Sequence, residues 1–147
     1  MNITNKKTLL ITGVNGFLGS NMVDKLNQDF KITGIDKQEI KEHNKIDFFK
    51  LDITDLDQVK TFLSNHQFDA IIHCAALINV DLCEENYQLA YDINAIGTKN
   101  LVSDFEGLFL YVSTDMLFDG VNGSYSEDSI PNPVNNYGRT KLVGENF

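Results

Sequence analysis

Tyr137 and Lys141 lie four residues apart in the stretch Tyr137-Gly138-Arg139-Thr140-Lys141. On a helix, residues four apart share one face, so the phenol and the ammonium would point into the same pocket. A free phenol titrates near pH ~10, and a nearby cation stabilises the phenolate and lowers that pKa. The pair is therefore a candidate proton donor to a carbonyl oxygen, although taken alone two polar residues on a solvated helix face are the commoner explanation.

Composition and charge are those of an ordinary globular protein. The chain has 147 residues, 42% of them hydrophobic and 22% charged, so one domain with a single core is expected. Its net charge of −9, with only 12 Lys and Arg residues, argues against a nucleic-acid or anionic-membrane surface. No apolar run approaches the ~20 residues of a membrane span. We expect a cytoplasmic protein whose partners are small molecules or other proteins.

The cysteines and histidines do not form a metal-binding pattern. Cys74 and Cys83 share no ligand spacing with His43, His66 or His73, so no metal site is predicted. Two cysteines do not make a disulfide framework, and we expect both to be reduced thiols. His73 ends an apolar run and is interpreted as a packed core histidine.

Short apolar runs alternate with helical patterns along the chain. Strands are predicted over residues 8–11, 31–35, 47–51, 70–73 and 108–112, and helices over 17–28, from a cap at Thr54 or Asp55 to residue 65, and over 85–104. Strands separated by helices imply right-handed crossovers. The predicted fold class is α/β, a doubly wound, Rossmann-like parallel sheet truncated after about five strands. Residues 119–136 hold both prolines and form a predicted long loop, either functional or a plain surface excursion.

Three glycines with the spacing G-x-x-G-x-x-G follow the first predicted strand. Such glycines let the backbone turn tightly and approach a pyrophosphate, while the next helix aims amide groups at phosphate. The flanking strand and helix favour nucleotide binding over a plain turn. The candidate cofactor ligands in this turn are Gly13, Asn15, Gly16, Phe17, Leu18 and Gly19.

Acidic residues follow the second and third strands. Asp36 lies 17 residues after Gly19, near the spacing at which a carboxylate binds ribose hydroxyls. A 2′-phosphate would meet a like charge there, so NAD is favoured over NADP, and the adjacent Lys37 weakens that preference. Asp52 and Ile53 are candidates for binding the adenine, although an aspartate that merely ends a strand explains Asp52 equally well.

Small and hydroxyl residues follow the fourth and fifth strands. Cys74-Ala75-Ala76-Leu77 would permit close approach of a cofactor at the carboxyl edge of the sheet. Val112, Ser113 and Thr114 emerge at the same edge, and either hydroxyl is a candidate to bind a substrate oxygen. In isolation, capping of the strand end is the better explanation for these hydroxyls.

Together these positions resemble the extended, sugar-nucleotide-modifying branch of the short-chain dehydrogenase/reductase superfamily. Within that branch the chain resembles the dTDP-4-dehydrorhamnose reductase family, through residues 113–120 and 136–145 and, in support, residues 81–84 and 94–98. Members of that family reduce the 4-keto group of dTDP-4-dehydrorhamnose with NADH or NADPH. The family usually has tyrosine at the position of Met116.

The resemblance implies a role for each matching residue. Thr114 would hydrogen-bond the substrate carbonyl, Tyr137 would protonate it, and Lys141 would bind the nicotinamide ribose and lower the tyrosine pKa. Asn94 would support the site from the neighbouring helix and counts, with Val112, Ser113, Tyr137 and Lys141, among the cofactor-binding residues. A nucleotide-sugar substrate and a homodimer are also implied.

Two alternatives remain open. A nucleotide-sugar epimerase or dehydratase would use the same tyrosine and lysine, and the regulatory beta subunit of methionine adenosyltransferase has a related fold but acts as a partner protein. The resembling reductases place the sugar nucleotide in a C-terminal domain. We therefore expect residues 1–147 to be the dinucleotide-binding part of a longer protein, binding NAD(H) weakly and turning over little substrate, with its fifth strand left as an open sheet edge.

Overall fold

The computed structural model describes residues 6–39 and 45–147 and contains one parallel sheet with the strand order β3-β2-β1-β4-β5. The strands are β1 (Thr8–Thr12), β2 (Lys31–Asp36), β3 (Asp47–Lys50), β4 (Ala70–His73) and β5 (Leu108–Tyr111). The five predicted strands and the α/β class are confirmed. The strand order reverses direction at β1, between β2 and β4, which is where folds of this kind bind nucleotides.

Six α-helices connect or flank these strands in the described part of the chain. They are α1 (Phe17–Leu26), α2 (Leu56–Asn65), α3 (Val80–Glu85), α4 (Tyr87–Tyr91), α5 (Gly97–Val102) and α6 (Asn136–Glu145). Asp55 is the N-cap of α2, and its side chain accepts a hydrogen bond from the Gln58 amide at 3.0 Å. Asn135 caps α6 in the same way and accepts from the Gly138 amide at 2.7 Å. Side-chain oxygens at these positions satisfy amides that the helix itself cannot, so these two residues determine where both helices start.

The predicted helix over residues 85–104 corresponds to a helical stretch from Tyr87 to Val102 that differs from the prediction at its start and by a π-helical turn in its interior. Asn86 leaves the helical conformation, with φ −138° and ψ 78°, and caps α4 through the Leu89 amide. A π-helical turn, Asp92–Ile96, then separates α4 from α5. A wider turn of this type inserts an extra residue without changing the hydrophobic composition, so the apolar periodicity did not reveal it.

The two faces of the sheet carry separate hydrophobic cores. Leu10 and Ile71 pack with residues of α2 and α5 on one face, whereas Leu9 and Ile11 pack with Val23 of α1 on the other. This alternation results from the two-residue period of a strand. Within α1, Val23 is fully buried, whereas Leu18 is 39% exposed.

Strand β5 lies at the edge of the sheet in the part of the chain that the structure describes, as predicted. Its side chains Leu108 and Leu110 are exposed. Among the described helices none is long and apolar enough to cross a membrane. Cys74 and Cys83 are free thiols, as expected.

The predicted loop before α6 is folded around one carboxylate. Asp119 accepts hydrogen bonds from the Val121 amide at 2.9 Å, from the Asn132 side chain at 2.9 Å and from the Tyr125 hydroxyl. These donors lower the pKa of Asp119 to about 2, the tyrosine contributing most. The Tyr125 ring also stacks on Phe118, with ring centroids 4.5 Å apart. The loop therefore has a definite internal structure that leads the chain into α6.

Candidate active site

A cavity of about 570 Å³ opens at the carboxyl end of the sheet. This volume lies within the range of small-molecule and cofactor sites. The predicted residues that line it are Gly13, Gly16, Phe17, Leu18, Gly19, Asp36, Lys37, Asp52, Ile53, Cys74, Ala75, Ala76, Leu77, Val112, Ser113, Tyr137 and Lys141. The structure thus brings together, in one cavity, segments that are up to 128 positions apart in the sequence.

Three predicted site residues are not part of the cavity wall. Asn15 donates its amide N–H to Asp36 and its side chain to the Gln38 carbonyl, so it braces the turn from outside. Asn94 is buried behind the wall, and Thr114 lies beside Tyr137. In this structure Asn15 and Asn94 support the cavity wall, and the cofactor-binding role expected of them stays a prediction.

Seven wall residues were missed by sequence reasoning. They are Ile35, Leu51, Thr54, Ile78, Leu89, Asp92 and Ile93. The first three flank predicted ligands at strand ends and could have been found from that position alone. The last four come from the segment between β4 and α5, and two of them, Asp92 and Ile93, lie in the π-helical turn that was not predicted.

The glycine turn depends on close contacts between backbones. Gly13 has φ +65°, a left-handed conformation that favours glycine, and a side chain there would lie 2.8 Å from the Ala75 backbone. A Cβ atom on Gly19 would overlap the Gly13 carbonyl oxygen and lie 2.8 Å from the Val14 Cα. The first turn of α1 can therefore pack on β1 only with glycine at position 19.

The beginning of α1 fits an anionic group of a dinucleotide. Its N-cap is Gly16, which has no side chain to accept hydrogen bonds, and in the described ranges the amides of Phe17 and Leu18 have no backbone partner. Both residues line the cavity. Free amides at a helix start attract phosphate, so the residues present match the pyrophosphate site that the glycine spacing predicts.

Asp36 is held at the cavity wall by backbone amides. Its carboxylate accepts from the Asn15 amide at 3.1 Å and from the Gln38 amide at 3.0 Å. Asp52 is fixed in a similar manner by the amide and the hydroxyl of Thr54, at 2.9 and 2.8 Å. Both carboxylates are thus oriented in advance for a ligand with hydroxyl or amino donors.

The π-helical turn positions Asn94 between the cavity wall and α6. Its side chain accepts from the Leu77 amide at 2.7 Å, donates to the Leu77 carbonyl at 3.1 Å, and donates to the Thr140 hydroxyl at 3.1 Å. Thr140 in turn donates to the Tyr137 carbonyl at 2.9 Å. Asn94 therefore connects the segment after β4 to the helix that carries Tyr137 and Lys141.

Tyr137 is buried, and its pKa differs in direction from the prediction. Burial raises the pKa of the phenol, and the hydrogen bond with Thr114 opposes that shift. Gly138 makes this contact feasible, because a Cβ atom there would overlap the carbonyl oxygen of Met116, two residues beyond Thr114. The phenol is consequently a protonated group at neutral pH, held beside a threonine hydroxyl.

Lys141 is held at the end of β5, and its expected lowering of the Tyr137 pKa stays a prediction. Its ammonium donates to the Val112 carbonyl at 2.7 Å and lies 3.9 Å from the centre of the Tyr111 ring. Burial lowers the pKa of Lys141 to about 8, with Glu145 acting in the opposite direction. The end of β5, a neighbour that the helical spacing alone cannot reveal, therefore binds the ammonium.

No group of three or more metal-ligating side chains occurs among the residues described, and His43 lies outside them. His73 is 1% exposed and sits between the hydroxyls of Thr12 and Thr98, so the prediction of a packed core histidine is confirmed. Burial, assisted by the charge of Lys141, lowers the pKa of His73 to about 3.

The buried histidine predicts a loss of stability in acid. Unfolded His73 binds a proton near pH 6.5, whereas the folded residue stays neutral down to about pH 3. Its contribution is complete above about pH 6.5 and falls by about 1.4 kcal/mol per pH unit as the pH decreases, because acid then favours the unfolded chain. The lowered pKa values of Asp55, Asp69 and Asp119 act at lower pH, since these groups titrate below 3.8.

Urea unfolding of the wild-type chain between about pH 7 and pH 4 measures this slope. His73→Asn is expected to reduce the slope of unfolding free energy against pH by about 1.4 kcal/mol per pH unit, which corresponds to one proton. His73→Gln replaces it if the first variant does not fold. An unchanged slope in the variant that folds would contradict the assignment.

Comparison with known proteins gives one family match. A family model described as the RmlD substrate binding domain matches residues 7–147. Two curated relatives are a probable low-salt glycan biosynthesis reductase, Agl14, from Haloferax volcanii, 37% identical over 92% of this chain, and the methionine adenosyltransferase 2 subunit beta of Xenopus tropicalis, 34% identical over 92% of the chain. The chain spans 46% and 41% of the length of these relatives.

Solved structures of similar proteins include two reductases and an epimerase. A dTDP-4-dehydrorhamnose reductase of Bacillus anthracis in complex with NADP is 37% identical, with TM-score 0.84 over 96% of this chain and 48% of that one. The reductase of Clostridium acetobutylicum is 38% identical, with TM-score 0.83 over 95% and 48% of the two chains. A UDP-Glc/GlcNAc 4-epimerase of Campylobacter jejuni is 29% identical, with TM-score 0.86 over 95% and 47%.

Proposed function

This chain belongs to the RmlD substrate binding domain family, and on that premise we propose that it carries the dinucleotide site and proton donor of an NAD(P)H-dependent reductase of 4-keto nucleotide sugars. The observation that carries the proposal is the convergence of the glycine turn and Tyr137 on one cavity. The relatives are about twice as long as this chain, and residues 1–147 would correspond to their dinucleotide-binding domain.

The described residues divide the work between binding and proton transfer. When bound, the nicotinamide supplies a hydride to the keto carbon. The open amides of α1 bind the pyrophosphate and Asp36 accepts hydrogen bonds from ribose hydroxyls. Tyr137, protonated because its pKa is raised, donates its proton to the carbonyl oxygen, which Thr114 helps to orient. Lys141, which lines the same cavity, binds the ribose next to the nicotinamide.

The first test is binding of NADH to the 147-residue chain, measured by calorimetry at concentrations up to the order of 1 mM. We expect weak but saturable binding, and no binding at that concentration would overturn the proposal. The second test is turnover by a protein that contains this chain, with dTDP-4-dehydrorhamnose as substrate. Loss of NADH equal to the alcohol formed supports a reductase, whereas product without net NADH loss would identify an epimerase instead.

We further propose that the site prefers NADH, because the Asp36 carboxylate would repel the 2′-phosphate of NADPH. Asp36→Asn removes this charge and keeps the shape, so we expect the ratio of NADPH to NADH affinity to rise by about tenfold, equivalent to ~1.4 kcal/mol. Fluorescence titration of both cofactors measures the ratio. Asp52→Asn makes the same charge change in the same cavity and is expected to leave the ratio unaltered; an equal shift in both variants would refute the assignment.

A second candidate function is suggested by the 34% identity with a methionine adenosyltransferase beta subunit. In that case the chain would bind a methionine adenosyltransferase catalytic subunit as a regulatory partner. Co-purification with that subunit, unaffected by Tyr137→Phe and accompanied by no NADH-dependent turnover, would favour this function over the reductase.

A further inference from the structure

A line of buried polar side chains crosses the sheet between the glycine turn and α6. Thr12, His73 and Thr98 are each at most 2% exposed, and none of them lines the cavity. Thr12 Oγ1 lies 2.6 Å from His73 Nδ1, and His73 Nε2 lies 3.0 Å from Thr98 Oγ1. The proposed reaction does not use these groups, so their presence in the core calls for a different explanation.

The hydrogen-bond donors at Thr98 determine which ring nitrogen of His73 carries the proton. The single hydroxyl proton of Thr98 goes to the Asn94 carbonyl at 2.8 Å, which can only accept. The nearby Tyr111 hydroxyl donates its own proton to the Lys141 carbonyl at 3.1 Å, so it is not a donor to Thr98. His73 Nε2 must therefore be the donor to Thr98, which places the proton of the neutral ring on Nε2.

The same reasoning sets the direction of the bonds at Thr12. With the proton on Nε2, His73 Nδ1 is an acceptor, and the Thr12 hydroxyl donates to it. The Thr12 oxygen accepts from the Ala75 amide at 3.1 Å. The hydrogen bonds thus all run in one direction, from the Ala75 amide to the Asn94 carbonyl, and bonds in such a series strengthen one another.

Each end of this series touches a part of the site. At one end, the Ala75 backbone would lie 2.8 Å from a Cβ atom on Gly13, so the position of Ala75 limits how closely the glycine turn can pack on the segment after β4. At the other end α6 approaches through Gly144, because a Cβ atom there would overlap the Asn94 carbonyl oxygen and lie 3.2 Å from Thr98 Oγ1. The Tyr111 ring that contacts Lys141 also packs beside His73, with centroids 5.7 Å apart.

We propose that His73 is a positioning residue that, in one fixed tautomer, couples the geometry of the glycine turn to that of the helix carrying Tyr137 and Lys141. Its importance for catalysis rests on the proposed function, whereas the tautomer and the coupling do not. Because the bonds share one direction, removing the acceptor at Thr98 leaves the Nε2 proton without a partner and weakens the bond at Thr12 as well. A change on the α6 side of His73 therefore reaches the dinucleotide turn.

The tautomer is tested directly on the wild-type chain. Long-range ¹H–¹⁵N NMR of the histidine rings distinguishes a protonated from a bare nitrogen at each position. We expect His73 to show a protonated Nε2 and a bare Nδ1 throughout the range from about pH 5 to about pH 8. A protonated Nδ1 in the wild type would overturn the proposal.

The coupling is tested with Thr98→Val, which removes the hydroxyl and keeps the shape, and Thr98→Ser, which restores the hydroxyl. We expect Thr98→Val to speed amide hydrogen exchange at Ala75 and to weaken NADH binding by about tenfold, the factor for one hydrogen bond of ~1.4 kcal/mol. Thr98→Ser is expected to restore both. Thr33→Val, a change at another buried threonine, on β2 and outside this series of bonds, serves as the matched control.

The outcomes separate positioning from a merely structural role. If Thr98→Val lowers the melting temperature but leaves Ala75 exchange and the His73 tautomer as in the wild type, His73 only fills the core and the proposal is overturned. If the wild type binds neither NADH nor NADPH, the proposed function fails, and the NMR and exchange measurements still decide the coupling. If Thr98→Val does not fold, the tautomer decides the proposal, and a protonated Nδ1 of His73 in the wild type or in Thr98→Ser overturns it.

Discussion

Replacing Tyr137 by phenylalanine is expected to lower the rate of keto-sugar reduction by about 10²- to 10⁴-fold, the usual contribution of a general acid. The hydroxyl is the only group that this change removes. The ring packs with Cys83 and Ala90, and phenylalanine keeps those contacts. NADH affinity should stay within about twofold, since the hydroxyl contributes to proton transfer rather than to cofactor binding.

The measurement is the rate of NADH oxidation in a protein that contains this chain, at saturating dTDP-4-dehydrorhamnose. Tyr87→Phe is the matched control, because it removes a phenol hydroxyl from an exposed position on α4. A Tyr137→Phe variant that keeps the full rate would show that another group donates the proton.

Introducing one methyl group at Gly19 is expected to weaken dinucleotide binding at least about 100-fold. Gly19→Ala would force a Cβ atom onto the Gly13 carbonyl oxygen, with the Val14 Cα only 2.8 Å away. Both atoms belong to the backbone, which cannot move aside as a side chain can, so α1 must shift off the turn. The open amides of Phe17 and Leu18 would then no longer point at the pyrophosphate, and the loss of two hydrogen bonds of ~1.4 kcal/mol each weakens binding about 100-fold.

Calorimetric titration with NADH, together with thermal unfolding, measures both effects of Gly19→Ala. Ser20→Ala changes the neighbouring residue, whose hydroxyl bonds to the Phe17 carbonyl of its own helix, and is expected to bind NADH like the wild type. Undiminished binding by Gly19→Ala would mean that the dinucleotide does not approach this turn.

Local patterns were sufficient to predict the sheet and most of the cavity wall. Each strand is a short apolar run, and the carboxyl ends of parallel strands must meet at one edge, so Asp36, Asp52 and Ala75 could be placed together from the sequence alone. The glycine turn was predictable for the same reason, because its spacing, strand and helix are all adjacent in the sequence.

Contacts between distant segments were not predictable in this way. The helical spacing placed Lys141 beside Tyr137, but the carbonyl that binds its ammonium belongs to Val112, 29 positions away. The burial that raises the pKa of Tyr137 depends on packing against α3 and α4. The π-helical turn does not alter the apolar pattern of the sequence, and for that reason Asp92 and Ile93 were missed as wall residues.

The π-helical turn also constrains how this region can change over evolution. Each residue added to a helix rotates the rest of that helix by about 100°. The wide turn at Asp92–Ile96 therefore changes the direction in which the side chains of α5 point relative to those of α4. Leu89, before this turn, lines the cavity, and Leu101, after it, packs in the hydrophobic core. Deleting one residue here would leave a more regular helix while turning one of these side chains away from its partner. The length of this segment is therefore expected to stay constant.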